Sequence, residues 1–251
     1  MNIPFWKLSG AGNDFVLLER LPKHHSGAAL AKKLCDRHLG IGADGLLIAT
    51  KKSLDYWNAD GSKAFCGNGT RAGVIWAAKK GWLKGREFEL RSNGKRLRAR
   101  LTAPGRAEVD MPRPKKLKLG MSVDSLQVNY VDTGVPHAVV FVDDVEKANV
   151  KELGRHLRFH KAFGRAGANV NFVEITKDAL LIRTYERGVE DETLACGTGI
   201  VASAFISRVL GRADNPVKVK VRGGDILKVS FKRGPRLEGP AVVTFTGEVQ
   251  L

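Results

Sequence analysis

The chain repeats a segment of itself. Cys66-Gly67-Asn68-Gly69-Thr70-Arg71-Ala72 and Cys196-Gly197-Thr198-Gly199-Ile200-Val201-Ala202 lie 130 residues apart, and each opens a run of small and apolar residues: Gly73-Val74-Ile75-Trp76-Ala77-Ala78 in one, Ser203-Ala204-Phe205-Ile206 in the other. Other landmarks recur at nearly the same separation, Gly42-Ala43 with Gly167-Ala168 and Asp60-Gly61 with Arg187-Gly188. After each run come paired strand signals, 88–91 then 97–101 around Gly94, and 217–221 then 226–231 around Gly223-Gly224. Such pairs around glycine read as hairpins. Order and spacing persist across both halves, so the chain reads as a duplication rather than a solenoid, which needs at least about three repeats. One domain is expected over 1–114 and an equivalent one over 120–239, with the last strand, 240–251, open to returning to the first. Between them Pro112-Arg113-Pro114-Lys115-Lys116-Leu117-Lys118-Leu119-Gly120 reads as a linker or an exposed edge.

Within the first half, Trp6-Lys7-Leu8 and Phe15-Val16-Leu17-Leu18 read as strands around the turn Gly10–Asp14. Ser26 caps a helix running to Arg37 that Gly40 ends, 46–49 and 54–57 are strands, and a helix occupies 67–80. The second half repeats the plan, with strands at 139–142, 171–175 and 180–185 and helices near 150–158 and 197–210. Many strands per helix indicate an α+β architecture, a curled and mostly antiparallel sheet around a central helix in each domain.

Composition narrows the class. Hydrophobic residues make up 43% of the 251 and charged residues 27%, as in globular proteins, which excludes disordered and collagen-like chains. No stretch approaches the roughly 18 apolar residues of a membrane span, and Met1–Lys7 lacks the start of a signal peptide. Three widely spaced cysteines do not make a disulfide framework, so a reducing cytoplasm is expected. The 42 Lys and Arg against 26 Asp and Glu give a net charge of +16, which raises nucleic acid as a partner. The basic clusters at 96–100 and 115–118 lack interleaved aromatic residues, so the charge reads as a solvated surface with no specific nucleic-acid partner.

Cys66 and Cys196 each stand where a glycine-rich turn enters a helix. A helix start presents free N–H groups and a partial positive charge, which favours a thiolate and a bound carboxylate. Two such thiols suit removal of a proton from one face of a carbon and its replacement on the other. Helix-end amides would stabilise the charge gained by a substrate carboxylate as its α-proton leaves. Cys35, in an amphipathic stretch, reads as a small buried hydrophobe. A zinc site is disfavoured by the spacing and the lack of a C-x-x-C pair, and His156 and His160 read as solvated helix residues rather than metal ligands.

Taken together, several motifs resemble the diaminopimelate epimerase family. They are Lys7-Leu8-Ser9-Gly10-Ala11-Gly12-Asn13-Asp14-Phe15, Gly40–Gly45, Asn58-Ala59-Asp60-Gly61-Ser62, Cys66–Arg71, Pro136-His137, Asn169-Val170-Asn171-Phe172, Glu186-Arg187-Gly188 and Thr193–Gly199, all in family order. The resemblance implies two pseudo-symmetric domains with a cleft between them. It also implies a pyridoxal-independent isomerase, without cofactor or metal, that converts LL-diaminopimelate to the meso form for lysine and peptidoglycan precursors. It makes Cys66 and Cys196 the acid/base thiols, with His137 and Glu186 tuning them. Gly67, Asn68, Gly197 and Thr198 would hold the reacting carboxylate, and Asn13, Asn58, Asn169, Glu186 and Arg187 would contact the distal amino-acid group. A homodimer is a further implication. Val135 stands where the family often carries Asn, Gly45 where some members carry Gln, and the 188–193 loop is one residue longer than the commoner form. Val135 keeps another amino-acid substrate open, with proline and hydroxyproline racemases as the related alternative.

Overall fold

Buried and exposed positions alternate along many of the strands, and the glycines that follow them bend the chain back. The computed structural model describes residues 2–83 and 85–251. The chain divides into two compact units, one made of residues up to Asp110 together with Glu238–Leu251, the other of Met111–Leu237.

The first unit runs β1 (Asn2–Gly10), β2 (Asn13–Leu18), α1 (Gly27–Leu34), β3 (Gly45–Ala49), β4 (Ser53–Asn58), α2 (Gly67–Lys79), β5 (Glu87–Ser92), β6 (Lys95–Ala103) and β7 (Arg106–Asp110). The second runs β8 (Lys115–Val123), β9 (Leu126–Asp132), β10 (Pro136–Phe141), α3 (Val150–Arg158), a short 3₁₀ turn (Lys161–Phe163), β11 (Asn169–Ile175), β12 (Leu180–Glu186), β13 (Asp191–Thr193), α4 (Gly197–Val209), β14 (Val217–Val221) and β15 (Ile226–Ser230). Then β16 (Arg236–Pro240) and β17 (Val242–Gln250) complete the chain.

Strand senses repeat between the units. In the first, β17–β1 and β1–β2 are antiparallel, β2–β3 parallel, β3–β4 antiparallel, β4–β5 parallel and β5–β6 antiparallel. In the second, β8–β9 and β9–β10 are antiparallel, β10–β11 parallel, β11–β12 antiparallel, β12–β14 parallel and β14–β15 antiparallel. A parallel pair needs a crossover connection. The four helices fill those places: α1 and α3 join the third strand of each series to the fourth, α2 and α4 the fifth to the sixth.

Each sheet curls around one helix. α2 packs on β1, β2, β3, β4, β6, β7 and β17, and α4 packs on β9, β10, β11, β12, β14 and β15. A helix enclosed this way is buried on nearly all sides, which explains its small residues. Gly67 through Val74 and Trp76 are buried in α2, as are Gly197, Gly199–Ala204, Ile206 and Ser207 in α4. Trp76, with no exposed surface, meets Trp82 and Trp6 edge to face with ring centroids 4.8 and 6.1 Å apart. α1 and α3 cover the sheets from outside, α1 placing Leu30, Ala31 and Leu34, with Cys35 that caps it, on Val16, Leu18, Leu46 and Ile48.

Two sequence expectations change. α1 ends at Leu34 rather than Arg37, because the chain folds back over the helix end: the N–H groups of Ile41 and Gly42 both bond the Leu34 carbonyl, and that of Ala43 bonds the Cys35 carbonyl. His160 lies beyond α3, where its ring caps the N–H of Ala162, so it does not share a helix face with His156. The basic proline-containing segment forms an edge: β8 carries Lys115, Lys116 and Lys118 exposed and pairs with β9.

Gly10 marks where β1 meets the start of α2, since a Cβ there would sit 2.8 Å from the Asn68 carbonyl oxygen. Backbone cannot yield as a side chain can. Gly10→Ala is expected to destabilise the protein by about 1–3 kcal/mol, read as a lowered Tm in thermal unfolding; an unchanged Tm would show that the helix start can shift.

Candidate active site

Cys66 is the N-cap of α2 and Cys196 the N-cap of α4, both with extended backbone angles. The equivalent places follow from the repeated topology, yet the sulfurs have different partners. The Cys66 sulfur accepts the Gly69 N–H at 3.3 Å, and the Cys66 carbonyl accepts the Thr70 hydroxyl at 2.8 Å. The Cys196 sulfur instead lies 3.5 Å from the Thr198 hydroxyl.

In the first unit Asn68, on the first turn of α2, is buried, and its amide donates to Asn13 Oδ1 at 2.5 Å. Its own oxygen accepts from the fully buried Arg71 at 2.8 Å. Asn13 Nδ2 in turn donates to Asp44 at 3.0 Å. Behind it lies an ionic cluster, with Lys7 2.7 Å from Asp14 and Arg37 2.9 Å from Asp14 and 2.7 Å from Asp44. Burial pushes the Asp14 carboxyl up, but the hydrogen bonds and charges of Arg37 and Lys7 outweigh it and hold the group below its ordinary value. The cluster therefore fixes which way Asn13 presents its amide. Asn58, at the end of β4, bonds the Tyr56 hydroxyl and Ser62, each at 2.8 Å.

In the second unit His137 has no exposed surface and bonds the Thr198 hydroxyl at 2.9 Å, so it reaches Cys196 through Thr198. The Thr198 carbonyl accepts the Thr133 hydroxyl at 2.9 Å. Asn169 donates to the Pro136 carbonyl at 3.0 Å and accepts the Arg187 N–H at 2.9 Å, so it bridges β10 to the loop after β12. Glu186 accepts the Thr193 hydroxyl at 2.8 Å. The loop that follows is pinned through three acidic residues: Glu190 to Arg158 at 3.0 Å, Asp191 to Lys151 at 3.2 Å and Glu192 to Arg183 at 2.7 Å. Gly188, with φ of 94°, turns the chain there.

Thus the structure gathers Asn13, Cys66, Gly67 and Asn68 at one helix start, with Asn58 closing the neighbouring strand. It gathers His137, Cys196, Gly197 and Thr198 at the other, with Asn169, Glu186 and Arg187 linked alongside. The sequence pointed to no site role for Arg37 or Thr184, and none for Asp44, Arg71 and Asn171 although they lie within the motifs. The alternation of Asn169 and Asn171 on one strand, which puts both on the same face, was the signal available for Asn171. Cys35 stands apart: burial pushes its thiol up to about 12, so it stays protonated and unreactive at neutral pH. Among the described residues no group of three or more His, Cys, Asp or Glu is arranged to hold a metal ion.

Burial, reinforced by the Arg187 charge, holds His137 down to about 3, and the Asn171 hydrogen bond only partly opposes this. The folded protein therefore keeps the ring neutral where an unfolded chain, with a pKa of about 6.5, takes up a proton. Its contribution to stability is complete above that value and is lost as pH falls from there toward 3. Thermal unfolding between pH 7 and 4 should show Tm falling with pH, and His137→Gln should make that fall shallower; an identical slope in the variant would assign the acid sensitivity to other groups.

The comparisons with known proteins point the same way. The family model described as diaminopimelate epimerase matches residues 5–117 and 129–251. The diaminopimelate epimerase of Chlorobaculum tepidum is 39% identical over 257 residues, covering 97% of this chain and 100% of that one. That of Aquifex aeolicus is 37% identical over 277 residues, covering 98% and 97%. Among solved structures, a hydroxyproline epimerase from Agrobacterium vitis with bound trans-4-hydroxy-L-proline aligns with a TM-score of 0.72 at 15% identity, covering 100% of this chain and 93% of the other. A PhzF-family phenazine biosynthesis protein from Bacillus anthracis aligns with a TM-score of 0.75 at 14% identity over all of both chains. At such identities these two establish a shared fold, whereas the sequence matches, which run nearly end to end, establish that this chain belongs to the diaminopimelate epimerase family.

Proposed function

We propose that this isomerase converts LL-diaminopimelate to meso-diaminopimelate by two-base proton transfer, with Cys66 and Cys196 as base and acid. One observation carries the reading. In a chain of this family, each half places one cysteine at the N-cap of the helix its sheet encloses.

Inverting a stereocentre requires a base for one face of the carbon and an acid for the other. A thiolate takes the α-proton, its partner thiol delivers a proton to the opposite face, and the two have then exchanged roles, so the same site runs the reverse reaction. The helix starts supply donors. The first N–H groups of a helix have no acceptor within it and carry partial positive charge. Those of the segments beginning at Gly67 and Gly197 are suited to the reacting carboxylate, and they stabilise the charge it gains as the α-carbon loses its proton. Arg187 suits the distal carboxylate, and the amide oxygens of Asn13, Asn58 and Asn169 suit the distal ammonium. His137, held neutral, and Glu186 tune the thiols. No electron-sink cofactor enters this scheme. Cytoplasmic location and a homodimer belong to the same reading; the three free cysteines support the first, and family resemblance the second.

The direct test is α-proton exchange in D₂O, with reductant and no added pyridoxal phosphate, followed by NMR and chiral chromatography. LL-diaminopimelate should exchange and give the meso isomer, while L-proline should not. Exchange confined to another amino acid would keep the thiol chemistry and transfer the specificity question to Val135. Cys66→Ala and Cys196→Ala should each abolish epimerisation in folded protein, whereas Cys35→Ala should retain it; full activity in either of the first two would sink the two-thiol scheme.

A further inference from the structure

The two units place different side chains beneath the same helix start. In the first, Phe15 on β2 pairs in register with Gly45, and Leu47 on β3 with Tyr56 on β4. In the second, His137 on β10 pairs with Asn169, and Asn171 on β11 with Thr184 on β12. The third residue of each helix looks onto these positions. A Cβ on Gly69 would lie 3.3 Å from Phe15 and 3.5 Å from Leu47; one on Gly199 would lie 2.3 Å from Asn171 and 3.3 Å from His137. A set of aromatic rings and Leu47, with Phe15 and Tyr56 edge to face at 6.0 Å and the Tyr56 hydroxyl bonded away to Asn58, is thus matched in the other half by His137, Asn171 and Thr184, which bond one another.

The hydrogens on that polar column can be traced. Asn171 Nδ2 lies 3.0 Å from the Ala138 carbonyl oxygen, which can only accept, so the amide nitrogen is the group that faces it. The Thr184 hydroxyl donates to Asn171 Oδ1 at 3.1 Å, which agrees with that orientation. The second hydrogen of Nδ2 points at His137 Nδ1, 3.1 Å away, so Nδ1 is the bare, accepting nitrogen. In the neutral ring the proton is then on Nε2, which donates to Thr198 Oγ1 at 2.9 Å. With its oxygen occupied as acceptor, the Thr198 hydroxyl has its own hydrogen free for the Cys196 sulfur at 3.5 Å.

We propose that Asn171 and Thr184 are positioning residues that lock His137 in its Nε2–H form, so that the Thr198 hydroxyl is aimed as a donor at the sulfur of Cys196. Cys66 receives its donor from the backbone, at Gly69. Cys196 receives the equivalent donor from a side-chain relay four residues long. The two thiols thus have comparable support as anions from unlike sources, and that of Cys196 depends on a tautomer.

The relay rests on the proposed function only where turnover is measured, because the tautomer can be read without substrate. In protein labelled with ¹⁵N-histidine, long-range ¹H–¹⁵N spectra should show His137, assigned by its loss in His137→Gln, as a neutral ring with protonated Nε2 and bare Nδ1 at pH 7. Asn171→Leu, which installs the residue found at the equivalent place in the first unit, should abolish that signature. It should also lower kcat by at least about tenfold with KM little changed. Thr184→Val, a milder change should Asn171→Leu fail to fold, should broaden or shift the His137 resonances and lower kcat in the same sense. A wild-type His137 that is cationic or protonated on Nδ1 would overturn the proposal whatever the enzyme's substrate, as would an Asn171→Leu variant with unaltered His137 resonances and kcat. Absence of diaminopimelate turnover in wild-type protein with the expected spectrum would instead count against the assigned reaction.

Discussion

Each half of the molecule depends on enclosing a helix inside a curled sheet. A helix with strands on nearly every side has no solvent face, so most of its surface is small or apolar, and a long polar side chain such as Arg71 is kept only with a partner, here Asn68. Its first turn must also come close to the strand backbone, as the contact between Gly10 and the Asn68 carbonyl shows. That turn keeps N–H groups which the helix cannot satisfy. Burial of the helix therefore creates, at one end, a cluster of donors beside the cysteine that caps it. The scaffold and the anion-seeking chemistry arise from the same constraint.

Much of this was legible in the chain. The cysteine repeat marked both enclosed helices, and the paired strands around Gly94 and Gly223-Gly224 are hairpins in the structure. The end of α1 was not legible, because it is decided by the returning Ile41 and Gly42, which take the last helix carbonyl. For the site, the residues at the helix starts follow from the motif itself. Their supports do not: Asp44 orients Asn13 from another loop, and Asn171 meets His137 only because β10 and β11 pair in parallel. A strand pattern reports which face a residue occupies, not which residue of a neighbouring strand stands beside it.

The +16 charge has a structural counterpart in where the acids went. Asp14, Asp44, Glu190, Asp191 and Glu192 are engaged with Arg or Lys around the loops that carry site residues. Exposed surface pairs contribute little individually. Those with less exposed partners, such as Arg183 with Glu192 at 13% exposure each, are the ones able to hold a loop in place. Part of the remaining excess of base lies on β8, where Lys115, Lys116 and Lys118 are exposed, and on β14, where exposed Lys218 and Lys220 alternate with buried valines.

The pairing of β17 with β1 has a consequence for how the chain is made. The second unit is one continuous stretch and can close as soon as it has left the ribosome. The first unit is not complete until β17, which follows the second unit in the chain, has been made and can pair with β1. Through most of synthesis β1 thus offers an open edge, with unpaired backbone donors and acceptors of the kind that recruit strands from other chains. The nascent protein carries its exposure to misassociation in β1, before the second unit, and its protection in β17, after it.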